Sequence, residues 1–204
     1  MRHFRFTVLA VLILLLFVTG CDRGDRLEFL RPNDVLLAFG DSLTKGTGAD
    51  EKKSYPAQLE KMLSRTVINA GIPGEITAEG LRRLPELLDE HEPDMIILCH
   101  GGNDILRRLD RAKTIANLKA MITEAQSRNI PIILVSVPQF GLFIDSAPFY
   151  KEIATEFKIY CEDKIVSEIL ADKALKSDTI HPNAAGYTKM AEGIADLLKK
   201  HGAL

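Results

Sequence analysis

Five short apolar runs, separated by stretches with helical period, constrain this chain more than any other feature. Val35-Leu36-Leu37-Ala38-Phe39 is continuous and closes on Gly40. Similar runs follow at Val67-Ile68-Asn69-Ala70, Met95-Ile96-Ile97-Leu98-Cys99 and Ile132-Ile133-Leu134-Val135, with a weaker one from Phe157 to Cys161. A run without polar alternation marks a strand buried on both faces. Between the runs, Ile115, Leu118, Ile122 and Ala125 keep one face of a helix that Asn129 and Pro131 end. Met190, Ile194, Leu197 and Leu198 do the same for a last helix, ended by Gly202. Strand and helix alternate through the body, which predicts an α/β fold: a parallel sheet with helices on both faces.

Right-handed crossovers place the C-terminal ends of such strands on one edge, where open α/β sheets bind ligands. Four segments with chemical potential fall there. Asp41-Ser42 follows the first strand, Gly71 the second, Asn103 the third, and Asp178 and His181 the fifth. A serine hydroxyl needs a base within hydrogen-bond reach, and a carboxylate to hold that base in the right tautomer. Ser42, His181 and Asp178 supply the three parts. Pro182 biases His181 towards extended backbone, and Asp178 can turn back within the same loop. The N–H groups of Ser42 and Gly71 and the Asn103 amide can converge on an oxyanion. Each also has a plainer reading: a polar loop capping the last helix at Asp178–Asn183, a turn at Gly71, an Asx turn or helix cap at Asn103.

Gly40-Asp41-Ser42-Leu43, Gly71, Gly101-Gly102-Asn103-Asp104 and Asp178-Thr179-Ile180-His181 resemble the four sequence blocks of the SGNH (GDSL) hydrolases. The resemblance runs from about Val35 to Lys199. Asn69-Ala70-Gly71-Ile72-Pro73-Gly74 and His181-Pro182-Asn183 resemble the branch of small periplasmic thioesterases, lysophospholipases and arylesterases. It implies a flavodoxin-like three-layer sandwich with about five parallel strands. It also implies hydrolysis of acyl esters or thioesters (aryl ester, acyl-CoA or lysophospholipid type) through an acyl-serine, without metal or organic cofactor. The α/β-hydrolase elbow, Gly-x-Ser-x-Gly, is not met, since Thr44 stands at its last position. Deacetylation of cell-wall or exported glycans would use the same machinery, but the chain has no Trp and 6% aromatics, which tilts the reading towards acyl chains. A catalytically silent ligand-binding lipoprotein is the alternative from another class, and the intact triad argues against it.

The amino terminus differs from the body. Arg2, His3 and Arg5 precede an apolar segment from Phe6 to Val18, interrupted only by Thr7. Its length suits a secretory signal and falls short of a bilayer span. Val18-Thr19-Gly20-Cys21 resembles a bacterial lipobox, which implies cleavage before Cys21 and a lipid on its thiol. Asp22 then resembles the inner-membrane retention signal of enteric bacteria. The chain thus reads as a signal peptide over 1–20, a tether over 21–33 and a single hydrolase domain over 34–204. The expected location is extracytoplasmic, on a bacterial membrane, with the tether holding the site near lipid substrates. Loss of residues 1–20 removes two arginines and no acid, taking the formal charge from −2 to −4. With no basic stripe in the body, nucleic acid is not an expected partner, and a monomer is expected.

Cys99 and Cys161 are read as buried free thiols rather than a disulfide. His100 is read as a locally bonded histidine, and Asp104 as a loop anchor. Phe140, Leu142, Phe143 and Ile144 divide evenly between an acyl groove and the core.

Overall fold

The structure is a computed structural model and describes residues 27–140 and 144–204. The signal segment, Cys21 and Asp22 lie outside the described residues, as do Leu142, Phe143 and the side chain of Phe140. Strands β1 (Leu36–Gly40), β2 (Val67–Gly71), β3 (Met95–Cys99), β4 (Ile132–Val135) and β7 (Tyr160–Glu162) form one sheet in the order β2-β1-β3-β4-β7. Every pairing is parallel. β1, β3 and β4 are buried along their whole length, which explains their unbroken apolar character.

Helix α1 (Ser42–Lys45) leaves β1, and α2 (Tyr55–Leu63) leads towards β2. Next come α3 (Thr77–His91), α4 (Gly102–Leu106), α5 (Arg111–Ser127), α6 (Phe149–Phe157), α7 (Ile165–Ala171) and α8 (Ala184–Lys200). α2 packs with α8, and α3 with α5. This is the flavodoxin-like three-layer arrangement. The chain starts from β1 towards β2 and then reverses towards β3, so the switch point lies beside β1, where Ser42 begins.

Three expectations needed adjustment. The weak fifth run begins too early: Phe157 closes α6, Lys158 takes a left-handed turn (φ 52°), and pairing starts only where Ile133 meets Tyr160. A two-stranded antiparallel hairpin, β5 (Pro138–Phe140) with β6 (Ile144–Ser146), follows β4 and was not foreseen. The stretch assigned to a tether is docked from Leu27 onward. Leu27 N–H donates to His201 O and Leu30 N–H to Ala203 O, both at 2.9 Å, and the Leu30 side chain is buried. Arg65 seals this contact by donating to the carbonyls of Leu30 (2.5 Å) and Arg31 (3.1 Å).

Cys99 is buried and Cys161 partly so, and both are free. They sit on β3 and β7 with β4 between them, about 10 Å apart at the strand spacing, which is beyond disulfide reach.

Candidate active site

Ser42 is positioned by a tight passage from β1 into α1. Asp41 caps that helix, its carboxylate accepting the Leu43 N–H at 3.1 Å. The passage is possible because β1 closes on glycine: a Cβ on Gly40 would lie 2.0 Å from the Cys99 carbonyl oxygen.

His181 comes from the loop between α7 and α8. Asp178 Oδ1 accepts the N–H groups of Ile180 and His181, both at 2.8 Å, which folds the loop back on itself. Asn183 caps α8 through Ala185 and Gly186 N–H, so the helix-cap reading holds for Asn183 while its neighbours do something else. His181 Nδ1–H donates to Asp178 Oδ2 at 2.8 Å, because a carboxylate only accepts. Nε2 is thereby left as acceptor, 3.0 Å from Ser42 Oγ. Residues 139 positions apart therefore form one line from carboxylate to hydroxyl. Burial raises the Asp178 pKa, but the hydrogen bonds from His181 and from the Ile180 and His181 N–H groups outweigh it, and the net shift is downward. The same bonds that favour the Asp178 carboxylate hold the His181 ring in place.

Asn103, at the start of α4, shares with Ser42 and His181 a cavity of about 30 Å³. Leu43, Leu106, Val137, Pro138, Leu170 and Ile180 give it apolar walls. The Asn103 amide donates to Glu75 O at 3.0 Å, and its second N–H faces Asp41 Oδ2 at 3.4 Å. The longer contact is the one an oxyanion would replace. Ser42 N–H, in the first turn of α1, has no acceptor four residues back within the helix.

Gly71 is where expectation and structure part. It pairs with Gly40 at the end of β2, but its N–H is accepted by Asn69 Oδ1 at 3.1 Å, and it does not line the cavity. Its lack of a side chain has a packing cause, since a Cβ would lie 2.1 Å from Lys45 N and 2.8 Å from Asp41 O. The structure thus brings together Ser42, Asn103, Asp178 and His181, and sets Gly71 beside them as the residue that lets β2 approach α1.

Several residues here were not foreseen. Asp41 is buried, and that burial raises its carboxyl pKa; the electrostatic influence of the nearby His100 ring and the N–H groups of Leu43 and Gly102 act against the rise. Its place just before a helical serine was the available signal, since Asp is a favoured N-cap. Glu75 accepts from Arg83 Nε (2.8 Å) and Nη2 (2.6 Å) and from His100 Nε2–H (3.1 Å), while Gly101 N–H donates to His100 Nδ1 (2.9 Å). Burial pushes the Glu75 pKa up, but Arg83 and His100 prevail and hold it at about 2. His100 is therefore locally bonded, as expected. Asp104 accepts from Thr77 N–H (2.9 Å), Thr77 Oγ1 (2.5 Å) and Thr114 Oγ1 (3.2 Å), and so pins α4 to α3 and α5.

A serine with a histidine–aspartate relay at the carboxyl edge of a flavodoxin-like sheet defines an ester-bond hydrolase of the SGNH class. Residues 38–189 match the model of the GDSL-like lipase/acylhydrolase family, and the chain belongs to that family. It is 30% identical over 183 residues to an arylesterase of Vibrio mimicus, covering 83% of this chain and 90% of that one. It is 31% identical over 174 residues to thioesterase 1/protease 1/lysophospholipase L1 of Escherichia coli K12, covering 81% and 84%. Among solved structures, AlinE4, described as an SGNH-hydrolase family esterase, superposes with a TM-score of 0.64 at 32% identity, covering 84% and 97%.

Proposed function

We propose that this ester hydrolase is an extracytoplasmic, lipid-anchored enzyme acting on short acyl esters and thioesters. The 3.0 Å and 2.8 Å contacts that link Ser42 through His181 to Asp178 carry the catalytic reading. His181 Nε2 takes the Ser42 proton as Oγ attacks the acyl carbon, and Asp178 stabilises the imidazolium that results. Negative charge develops on the former carbonyl oxygen, where Ser42 N–H and the Asn103 amide donate to it; one such donor typically contributes about 3 kcal/mol to the transition state. The Nε2 proton then passes to the departing alkoxide or thiolate, leaving an acyl-serine. Water repeats the sequence and releases the acid.

The preference for short acyl groups is supported by the narrow space beside Ser42, which Leu43, Leu106, Val137, Pro138, Leu170 and Ile180 wall in. The thioester reading is supported by the Escherichia coli relative, whose name includes thioesterase. Support for the anchor comes from Val18-Thr19-Gly20-Cys21 behind an apolar signal-like segment.

A chain-length series of aryl esters, run beside acyl-CoA, lysophospholipid and acetylated sugar with Ser42→Ala as blank, tests the reading. Acetate and propionate esters should be cleaved fastest, and Ser42→Ala should lose activity by at least 1,000-fold, on the order seen when a triad member is removed, while keeping its fold. Activity retained in Ser42→Ala, or a rate that rises steadily to long chains, would sink the assignment.

A further inference from the structure

The root of the amino-terminal segment and the mouth of the active site stand at opposite poles of the domain. Ser42, Asn103 and His181 lie beyond the carboxyl ends of β1, β3 and α7. Leu27 and Leu30 are bonded to His201 and Ala203, past the end of α8, and Arg65, which holds Leu30, stands two residues before β2. Leu27 also lines a cavity with Ile130, Pro131 and Ile132 at the start of β4 and Tyr160 at the start of β7. These are the amino ends of the strands. Helix α8 measures the separation: it begins two residues after the Pro182 that follows His181 and ends at the His201 carbonyl that receives Leu27. Its 17 residues are about 25 Å long.

Whatever conformation the chain from Cys21 to Leu27 adopts, six residues cannot span more than about 21 Å. Turning the catalytic mouth onto the anchoring bilayer would lift Leu27 above it by at least the length of α8 plus the loops around Ser42. A domain of this size is about 40 Å across. The span required exceeds the span available. Leu30 cannot be peeled off cheaply to lengthen the tether, since it is 3% exposed, its N–H is bonded to Ala203 O and its carbonyl accepts from Arg65 Nη2.

We infer that this enzyme takes its substrates from the aqueous compartment, as dispersed esters, and that acyl lipids in the bilayer carrying its own anchor are outside its reach. This deepens, and rests on, the reading of an esterase lipidated at Cys21. It reverses the expectation that the tether serves to hold the site near lipid substrates. The anchor instead fixes the enzyme at the membrane with its mouth turned outward, and the small acyl cavity suits the same diet.

The test uses the full lipidated chain in phosphatidylcholine vesicles, beside a variant with thirty Gly/Ser residues inserted between Arg26 and Leu27. A linker of that length has a root-mean-square reach of about 30 Å and a far longer extended one. Two probes are compared: a dispersed aryl acetate, and a bilayer-dissolved fluorogenic ester that the unanchored Cys21→Ser protein cleaves from the same vesicles. Both anchored forms should cleave the acetate at equal rates, which also shows that the insertion leaves the fold intact. On the bilayer ester the insertion should raise the rate at least tenfold. Equal rates on the bilayer ester with and without the insertion would overturn the inference. Loss of acetate hydrolysis in every form would sink the esterase reading instead, and flotation of Cys21→Ser with vesicles would sink the anchor.

Discussion

Asp178 performs two tasks with its two oxygens. Oδ1 closes the loop through the Ile180 and His181 N–H groups, and Oδ2 orients the imidazole. Asp178→Asn separates the tasks. The asparagine oxygen can still accept both backbone N–H groups, so the loop should persist, but its amide would donate to Nδ1 and put the proton on Nε2, where it faces Ser42. The turnover of aryl acetate should fall by about 10⁴-fold, the loss typical of a triad held in the wrong tautomer, with an unchanged thermal melt. A fall of less than tenfold would remove Asp178 from the relay. At this scale the sequence was most informative where side chains act directly. Ser42, Asp178 and His181 each announce a function by residue type and by position after a strand or in the loop before α8. Gly71 is harder to read, because a glycine after a strand has two physical causes, an exposed donor or a close backbone approach, and the one-letter code is the same for both. The structure shows the close approach, with the missing Cβ 2.1 Å from Lys45 N, and an N–H accepted by Asn69 Oδ1.

Between elements, the Glu75 network does what the catalytic residues cannot do for themselves. Arg83 on α3 donates to Ala70 O at the end of β2 (3.0 Å) and to Glu75, Glu75 accepts from His100 after β3, and the Glu75 carbonyl orients Asn103 on α4. Four elements are thereby registered around the Asn103 amide. None of this was legible in the sequence, because Pro73-Gly74-Glu75 reads as an ordinary turn and the atom that holds Asn103 is a backbone oxygen, which carries no residue signature. The network should show in acid. Glu75 has a folded pKa of about 2 against an ordinary value near 4.5, so its stabilisation is complete above the unfolded value and disappears as pH falls through the folded one. The shift corresponds to about 3 kcal/mol. Glu75→Gln should therefore be less stable than the wild type at pH 7 by that order, and urea titrations should show the difference shrinking as pH drops from about 4.5 to about 2. A gap that stays constant over this window would mean that Glu75 is not held by its charge.

At the scale of the whole molecule, the fold was readable because the sheet's demand for burial on both faces writes itself as uninterrupted apolar runs. The exceptions occur where that demand relaxes. The edge strand β7 is only partly buried and blurs into the end of α6, and the β5–β6 hairpin is short and opens on Pro138. The amino-terminal boundary was misplaced for a related reason: Leu27 and Leu30 lie in a charged stretch, and two leucines three apart do not make a period. Yet the segment closes the amino-end pole, with Leu30 inside the core and its carbonyl bonded to Arg65. A chain beginning at Asp34, the boundary read from sequence, would open that pole, strip Leu30 from its pocket and leave Arg65 without two acceptors. Removal of a buried leucine commonly costs about 2–5 kcal/mol, and in a domain of this size each kcal/mol lowers the melting temperature by about 2–4 °C. Such a chain should melt about 5–15 °C below one beginning at Asp22, with the catalytic pole intact and the aryl acetate kcat within about twofold at 20 °C. Equal melting temperatures would show that the docked segment is ornamental, and a collapsed kcat would show that the two poles are mechanically coupled.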